Sequence, residues 1–292
     1  SYPGSRRQRR RGHQQPPSLG GRARPEQHVL PDPAPRAGGA VGAALFTWHQ
    51  YLGNSRTADG IHDSMQGAYL GPEFSDQDIG IYLQKNAIPF TKLNRAEIPE
   101  KIADLIAAEN VIGWFEGRME FGPRALGARS ILGDSRSPAM QSRMNLKIKF
   151  RESFRPFAPS VLIERVSDYF TIDRPSPYML LVADVKEERR RSVRDEEKNL
   201  FGLEKLKVLR SEIPAVTHVD YSARIQTVHK ETNPLYHTVI SVFAEKYGCP
   251  VIINTSFNVR GEPIVCSPDD AYRCFMKTNM DYLLMGSYLL SK

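Results

Sequence analysis

The segment from Ser75 to Phe115 constrains the fold most. Ser75-Asp76-Gln77-Asp78 is a helix N-cap for Ile79 to Asn86, because the serine and aspartate oxygens can accept from the free amides of a first turn. Pro99 opens a second helix, Glu100 to Glu109, in which Ile102, Leu105 and Ile106 share one face. Val111-Ile112-Gly113-Trp114-Phe115 comes next as an unbroken apolar run and reads as a buried strand. Helix, strand, loop, helix is the grammar of an α/β domain. With 292 residues, 40% of them hydrophobic, the chain is long enough to fill a core of that kind, and a wholly disordered chain is excluded.

Charge is divided unevenly. Residues 1–36 hold eight arginines against Glu26 and Asp32, while the other 256 residues carry 32 cations and 31 anions. The formal net charge of +7 therefore belongs almost wholly to one tail, and the body is close to neutral. That tail contains seven prolines and the run Arg6-Arg7-Gln8-Arg9-Arg10-Arg11, with no apolar period of two or 3.6, so it is expected to be disordered. The first methionine is Met65, and residues 1–36 read as an out-of-frame product of a GC-rich gene joined to a fragment. Translating the nucleotides in the other two frames tests that expectation.

No apolar run approaches the roughly 18 residues of a membrane span, and the N-terminus has Arg and Pro where a secretory signal has its hydrophobic stretch. Cys249, Cys266 and Cys274 are odd in number and lack zinc-knuckle spacing, so neither a disulfide framework nor a structural zinc site is supported. Reduced thiols in a cytoplasm are the expectation. From Ala37 the chain changes to Ala37-Gly38-Gly39-Ala40-Val41-Gly42-Ala43-Ala44-Leu45-Phe46, which runs to Trp48 and Tyr51 and reads as a closely packed helix. Gly53, Gly60, Gly67 and Gly71-Pro72 break the next stretch into a connector.

Between Glu116 and Pro159 lie Arg118, Arg124, Arg129, Arg136, Arg143, Lys147, Lys149, Arg151 and Arg155, opposed by Glu116, Glu120, Asp134 and Glu152. Gly117, Gly122-Pro123 and Gly127 set tight turns around these arginines, beside a strand end. Guanidinium forks bind phosphate oxygens bidentately, and lysine adds a point charge. The same composition also suits a surface salt-bridge network, in which Arg124 and Arg129 pair with Glu116 or Glu120. Further on, Arg224 lies on a strand, and Asn254-Thr255-Ser256 succeeds Val251-Ile252-Ile253, a buried strand end of the kind where α/β ligand sites form. Asn258, Arg260 and Glu262 come next on a loop, where turn chemistry alone explains Asn258 and Gly261. His218 reads as a structural histidine, having no acidic partner adjacent, and Lys186 to Arg210 as an exposed charged excursion.

The strings Glu116-Gly117-Arg118-Met119-Glu120-Phe121-Gly122-Pro123-Arg124-Ala125-Leu126-Gly127-Ala128-Arg129 and Lys147-Ile148-Lys149-Phe150-Arg151-Glu152-Ser153-Phe154-Arg155-Pro156-Phe157-Ala158-Pro159 resemble the C-terminal domain of the O-carbamoyltransferases of the nodulation-factor and cephamycin type. Pro214 to Asp220, Ser222 to Val228 and Asn254 to Pro263 resemble the same family, and the likeness runs from about residue 72 to the C-terminus. The resemblance implies a YrdC-like α/β fold, a twisted mixed sheet with flanking helices, preceded here by a remnant helix and the basic tail. It implies an enzyme whose C-terminal domain uses ATP, with Mg2+, and carbamoyl phosphate to form carbamoyladenylate. A separate N-terminal transferase domain of actin-like fold then passes the carbamoyl group to a substrate hydroxyl at a metal site.

Carried over by position, Arg124, Lys149 and Arg155 match the family's catalytic cations, and Arg118, Arg129, Arg151, Arg224, Asn254, Thr255, Ser256, Asn258 and Arg260 its substrate-binding residues. Arg36 stands where the family has an acidic metal ligand, so the transferase-domain metal is expected to be absent. The expected layout is a tail over 1–36, a transferase-domain remnant and linker over 37–71, and the C-terminal domain over 72–292. Two other readings compete. One is a nucleic-acid-binding module gripping RNA through the Arg tail, a partner ranked behind carbamoyl phosphate and ATP, with affinity that falls steeply with salt. The other is an inactive fragment serving only as an interaction surface.

Overall fold

The computed structural model describes residues 35–57, 63–150, 155–192 and 208–292, with positions 194, 197, 200, 201 and 204. The expected tail over 1–36 lies outside the described residues except for its last two, and so does Arg151. The helices are α1 (Pro35–Phe46), α2 (Asp76–Lys85), α3 (Ile98–Ala107), α4 (Met140–Lys147), α5 (Val166–Tyr169), α6 (Pro234–Tyr247) and α7 (Pro268–Lys277). The strands are β1 (Thr91–Lys92), β2 (Ile112–Phe115), β3 (Arg129–Asp134), β4 (Ala158–Leu162), β5 (Val182–Asp184), β6 (Ser222–Arg224), β7 (Gln226–Val228), β8 (Val251–Ser256), β9 (Tyr282–Met285) and β10 (Tyr288–Ser291).

Local chemistry starts α2 and α3 within three residues of the positions read from the sequence, and starts α6, which was not read there, in the same way. Ser75 caps α2 reciprocally with Asp78, Pro99 sits in the first turn of α3, and Asn233 caps α6 by accepting from the Tyr236 amide. The apolar run becomes β2, buried at every position. Among the described residues, eight strands form one mixed sheet in the order β1-β10-β9-β2-β3-β8-β4-β7, and β5 pairs with β6 beside it. The sheet and its flanking helices are the mixed α/β fold expected from the sequence.

Register determines what meets at one end of that sheet. Antiparallel pairing sets Ser130 against Ser256 and Ala158 against Asn254, and parallel pairing sets Ser160 against Gln226. The start of β3, the end of β8 and the starts of β4 and β7 therefore lie at the same end, and so does Phe115, which pairs with Arg129. The β2–β3 loop, residues 155–157 and the loop after β8 all project there. Trp114, Phe243, Phe257 and Phe275 fill the core behind them.

Three local readings differ from the structure. The helix at Ala37 is present, but it is not closely packed: Phe46, Trp48, Tyr51 and Leu52 are exposed, because no described element covers them. His218 lies exposed rather than buried as a satisfied histidine. The charged stretch after Lys186 is tied back in part, with Arg189 over the Tyr169 ring and Arg190 over that of Tyr221.

Candidate functional site

A concavity of about 250 Å3 opens at that end of the sheet, lined by Lys149, Arg155, Thr255, Ser256, Asn258, Val259, Arg260 and Gly261. Six residues singled out from the sequence thus come together from two segments a hundred positions apart. A larger concavity of about 520 Å3 lies at the far edge, against α3, β1 and β10. Glu97, Glu100 and Asp104 wall it with Lys101, so acidic side chains outnumber cations in its lining.

The loop after β8 is held from beneath by Lys149, which is almost fully buried. Its Nζ donates to the Ser256 carbonyl, to the Asn258 carbonyl at 2.9 Å and to Asn258 Oδ1 at 2.8 Å, with Ser256 Oγ at 3.3 Å. Asn258 Nδ2 in turn donates to the Glu262 carbonyl at 2.8 Å, and Gly261 takes φ +83° to close the turn. The ammonium therefore shapes the loop that presents Arg260, while Arg155 and Arg260 themselves stay exposed at the rim. Exposed guanidiniums beside main-chain and hydroxyl groups can receive an anion.

The second structure at this end is the β2–β3 loop that carries Arg124. Glu120 is buried, and its Oε1 accepts from the amides of Leu126 and Ala128 at 2.7 Å and of Arg129 at 3.3 Å. The carbonyls of the same turn are also engaged. Asn254 Nδ2 donates to Ala125 at 3.0 Å, Gln226 Nε2 to Leu126 at 2.6 Å, and Trp114 Nε1 to Gly127 at 2.8 Å. Gly122 and Gly127 adopt φ +138° and +107°. At Gly127 a Cβ would stand 2.4 Å from Tyr236 Cδ1, so only glycine fits. Arg124 is half-buried on this rigid turn, and its Nε is buried without a hydrogen-bond partner among the described residues.

The remaining singled-out residues have other surroundings. Arg129 is fully buried: it donates to the carbonyls of Glu116, Gly117, Ala128 and Pro72 and lies 3.6 Å over the Phe115 ring. Burial pulls its pKa down to about 10, against the nearby charges of Glu120 and Glu116. Its expected place on the substrate is thereby corrected: the side chain is closed inside the protein. Glu116 pairs instead with Arg95, and burial still holds its carboxyl above the ordinary range. Arg118 is exposed, 3.5 Å from Glu73, and donates to the Gly71 carbonyl. Asn254 is buried and binds the Arg124 turn rather than lining the concavity. Arg224 ends β6, with its Nη2 3.8 Å from Met179 Sδ.

Sequence reasoning missed the groups that hold the turn. Glu120 was counted only as an opposing charge; Gln226, Asn233 and Tyr69 carry no signal beyond their presence in or near the motifs. Among the described residues no group of three or more His, Cys, Asp or Glu is arranged to hold a metal ion, and no helix is long and apolar enough to cross a membrane. The three cysteines are free.

Comparison with known proteins places these residues in a family context. The family described as Carbamoyltransferase C-terminus matches residues 103–292. An uncharacterised Synechocystis protein, sll1178, is 58% identical over 258 residues, covering 88% of this chain and 42% of that protein. Nodulation protein NolNO of Sinorhizobium fredii is 39% identical over 275 residues, covering 91% of this chain and 36% of its own length. The 3'-hydroxymethylcephem-O-carbamoyltransferase of Streptomyces clavuligerus is 38% identical over 172 residues, 59% of this chain and 29% of the enzyme. The chain thus spans well under half the length of these relatives.

Proposed function

The chain belongs to the Carbamoyltransferase C-terminus family, and on that premise we propose that it forms carbamoyladenylate from carbamoyl phosphate and ATP. The observation that carries the reading is the convergence of Lys149, Arg155, Thr255, Ser256, Asn258 and Arg260 on one small cationic concavity. Its volume, about 250 Å3, lies just under the roughly 300–1,000 Å3 of sites that enclose a drug-sized ligand. That size suits carbamoyl phosphate or the phosphate end of a nucleotide rather than a whole nucleotide.

In the proposed reaction, water hydrolyses carbamoyl phosphate, the bond between its carbamoyl and phosphate groups breaks, inorganic phosphate leaves, and the carbamate so formed attacks the α-phosphorus of ATP through an oxygen. A new P–O bond forms, the α–β phosphoanhydride breaks, and pyrophosphate leaves. Carbamate is a poor nucleophile, so the protein's task is positioning and charge neutralisation. Arg155 and Arg260 would grip phosphate oxygens at the rim, and Ser256 and Thr255 would donate hydroxyls. Lys149 would hold their loop, and Arg124 would meet charge on the transferring group. Mg2+ with the nucleotide would neutralise the phosphates when bound.

Transfer of the carbamoyl group to a small-molecule hydroxyl is assigned to a further domain, with α1 as its point of attachment. The stretch from Ala37 to Tyr51 has no Asp, Glu, Lys or Arg, and a helix apolar all round is ordinarily buried, which supports a covering partner. The test of the adenylation reading is exchange of labelled pyrophosphate into ATP by this chain, with and without carbamoyl phosphate. Exchange that needs carbamoyl phosphate and fails in Arg155→Ala supports it. Exchange absent from folded protein, or indifferent to carbamoyl phosphate, overturns it.

A further inference from the structure

The segment from Asp63 to Pro72, which reads from the sequence as part of a connector, is a strap laid along the loop that carries Arg124. Its backbone pairs with that loop at three points: the Gly71 amide donates to the Met119 carbonyl at 2.9 Å, Met119 to Pro72 at 2.9 Å, and Phe121 to Ala68 at 2.7 Å. Tyr69 adds a side-chain bond beyond these, its Oη donating to the Leu126 carbonyl at 2.7 Å while accepting from Asn233 Nδ2 at 3.1 Å. Leu126 is two residues past Arg124. Its carbonyl is thus gripped by the strap through Tyr69 and by β7 through Gln226.

The strap is held in an unfavourable shape. Gln66, Gly67 and Ala68 have φ of 50°, 68° and 67°, a left-handed run that non-glycine residues rarely adopt. Such conformations persist only where surrounding contacts over-determine them, and they concentrate at functional sites. Here the contacts converge on Asp63, whose carboxylate accepts from the Met65 amide at 2.9 Å, the Gly67 amide at 2.8 Å and the Tyr178 hydroxyl. A Cβ on Gly67 would stand 2.8 Å from Tyr69 Cε2, so the bend and the tyrosine ring are fitted to each other. Ala68, Leu126, Ala158, Tyr178 and Met179 form a small apolar cluster of their own beneath the strap, apart from the main core.

We propose that this strap is a latch that fixes the Arg124 turn for catalysis, with Tyr69 and Asp63 as positioning residues; the proposal rests on the adenylation reading above. A guanidinium that must meet developing charge loses its effect when displaced by even an ångström, a misplacement that costs about 100-fold in rate. Glu120 organises the amides of the turn and Gln226 fixes the Leu126 carbonyl from the sheet side. Among the described residues, Tyr69 alone ties that carbonyl to a segment outside the sheet. Burial near Glu120 pushes the Tyr69 phenol well above its ordinary range, so it remains a proton donor throughout the neutral range.

The experiment compares the full chain with Tyr69→Phe, Asp63→Asn, Arg124→Ala and the Tyr69→Phe/Arg124→Ala double variant. Amide hydrogen exchange of a peptide spanning 119–129 is read beside one spanning 251–256. Loss of one hydrogen bond should speed exchange about fivefold in 119–129 and leave 251–256 unchanged. In the pyrophosphate assay Tyr69→Phe should lower kcat about tenfold with KM for carbamoyl phosphate unchanged, and should cost nothing further once Arg124 is alanine. Asp63→Asn should show the same pattern more weakly, as a second route to it if Tyr69→Phe is unstable. Unaltered exchange across 119–129, or a kcat loss that adds in full to that of Arg124→Ala, overturns the latch. If the unmodified chain catalyses no exchange of pyrophosphate, the adenylation reading fails, and the hydrogen-exchange comparison still decides whether the strap holds the turn.

Discussion

Replacing Lys149 by alanine should unfold the loop after β8 before it does anything to chemistry. The ammonium has three protons, and among the described residues it meets four acceptors: the carbonyls of Ser256 and Asn258, Asn258 Oδ1 and Ser256 Oγ. Hydrogen bonds from a charged donor contribute about 1.5–3 kcal/mol each, so truncation removes about 5 kcal/mol before relaxation. Water entering the gap and the coupling of bonds that share one nitrogen should leave a net loss of about 3 kcal/mol. For a protein of this size 1 kcal/mol shifts Tm by about 2–4 °C, so differential scanning calorimetry should record a fall of about 6–12 °C. Lys149→Arg should not restore it, because a planar fork cannot direct donors at acceptors arranged around a point. A fall under about 2 °C together with lost pyrophosphate exchange would refute the reasoning. The ammonium would then face the substrate and not the loop.

Arg155→Ala and Arg260→Ala should behave oppositely: both side chains are exposed, so urea unfolding should move by under about 1 kcal/mol, while calorimetric titration should show carbamoyl phosphate binding weakened about tenfold. Gly127→Ala places a Cβ 2.4 Å from the Tyr236 ring at φ +107° and should destabilise by about 3 kcal/mol or more in the same urea experiment; a loss under about 1 kcal/mol would mean the Tyr236 ring is free to move. His229 is pushed below its ordinary value by burial, so folding disfavours its protonated form. Its contribution is fully present above an unfolded value of about 6.5 and is lost as pH falls below that. Tm measured at pH 7.5 and 5.5 should therefore drop less in His229→Gln than in the parent protein.

The α/β class and the starts of α2, α3 and β2 were legible because they depend on local rules. The Ser75 cap, Pro99 in a first turn and the apolar run at Val111 each act within a few residues. The lining of the candidate concavity was legible in part for a different reason: Lys149, Arg155 and Thr255 to Arg260 sit in long distinctive strings. The strap was not legible. Its glycines suggested a loose connector, whereas Gly67 is needed to pass Tyr69 and to join a left-handed bend that depends on Asp63 and Tyr178, 115 positions apart. Contacts of that span leave no periodicity in the chain. The exposed apolar surface of α1 was hidden for the converse reason, since a sequence records that a helix wants a covering partner but not whether one is present.

The cations of residues 116–159 show why charge density alone could not locate the site. Arg136 is locked to Asp134 at 2.6 Å and to the Tyr247 carbonyl, and Arg143 to both oxygens of Asp281 and to the Glu109 carbonyl. Arg129 and Lys149 are turned onto main-chain carbonyls, and Arg118 onto Glu73 and Gly71. A cation whose donors already point at protein oxygens can shape a loop but has little left to offer a phosphate. At the rim of the concavity stands the exposed Arg260, and on the neighbouring turn the half-buried Arg124, whose Nε makes no hydrogen bond among the described residues. Leaving a buried guanidinium nitrogen unpaired is unfavourable, by about 1–3 kcal/mol or more for a charged group. A fold that holds it there with Glu120, Gln226, Asn254 and the strap sustains that cost against relaxation. The same rigidity keeps the group from reorganising when an anion arrives, which is the condition under which a fixed charge lowers a barrier most.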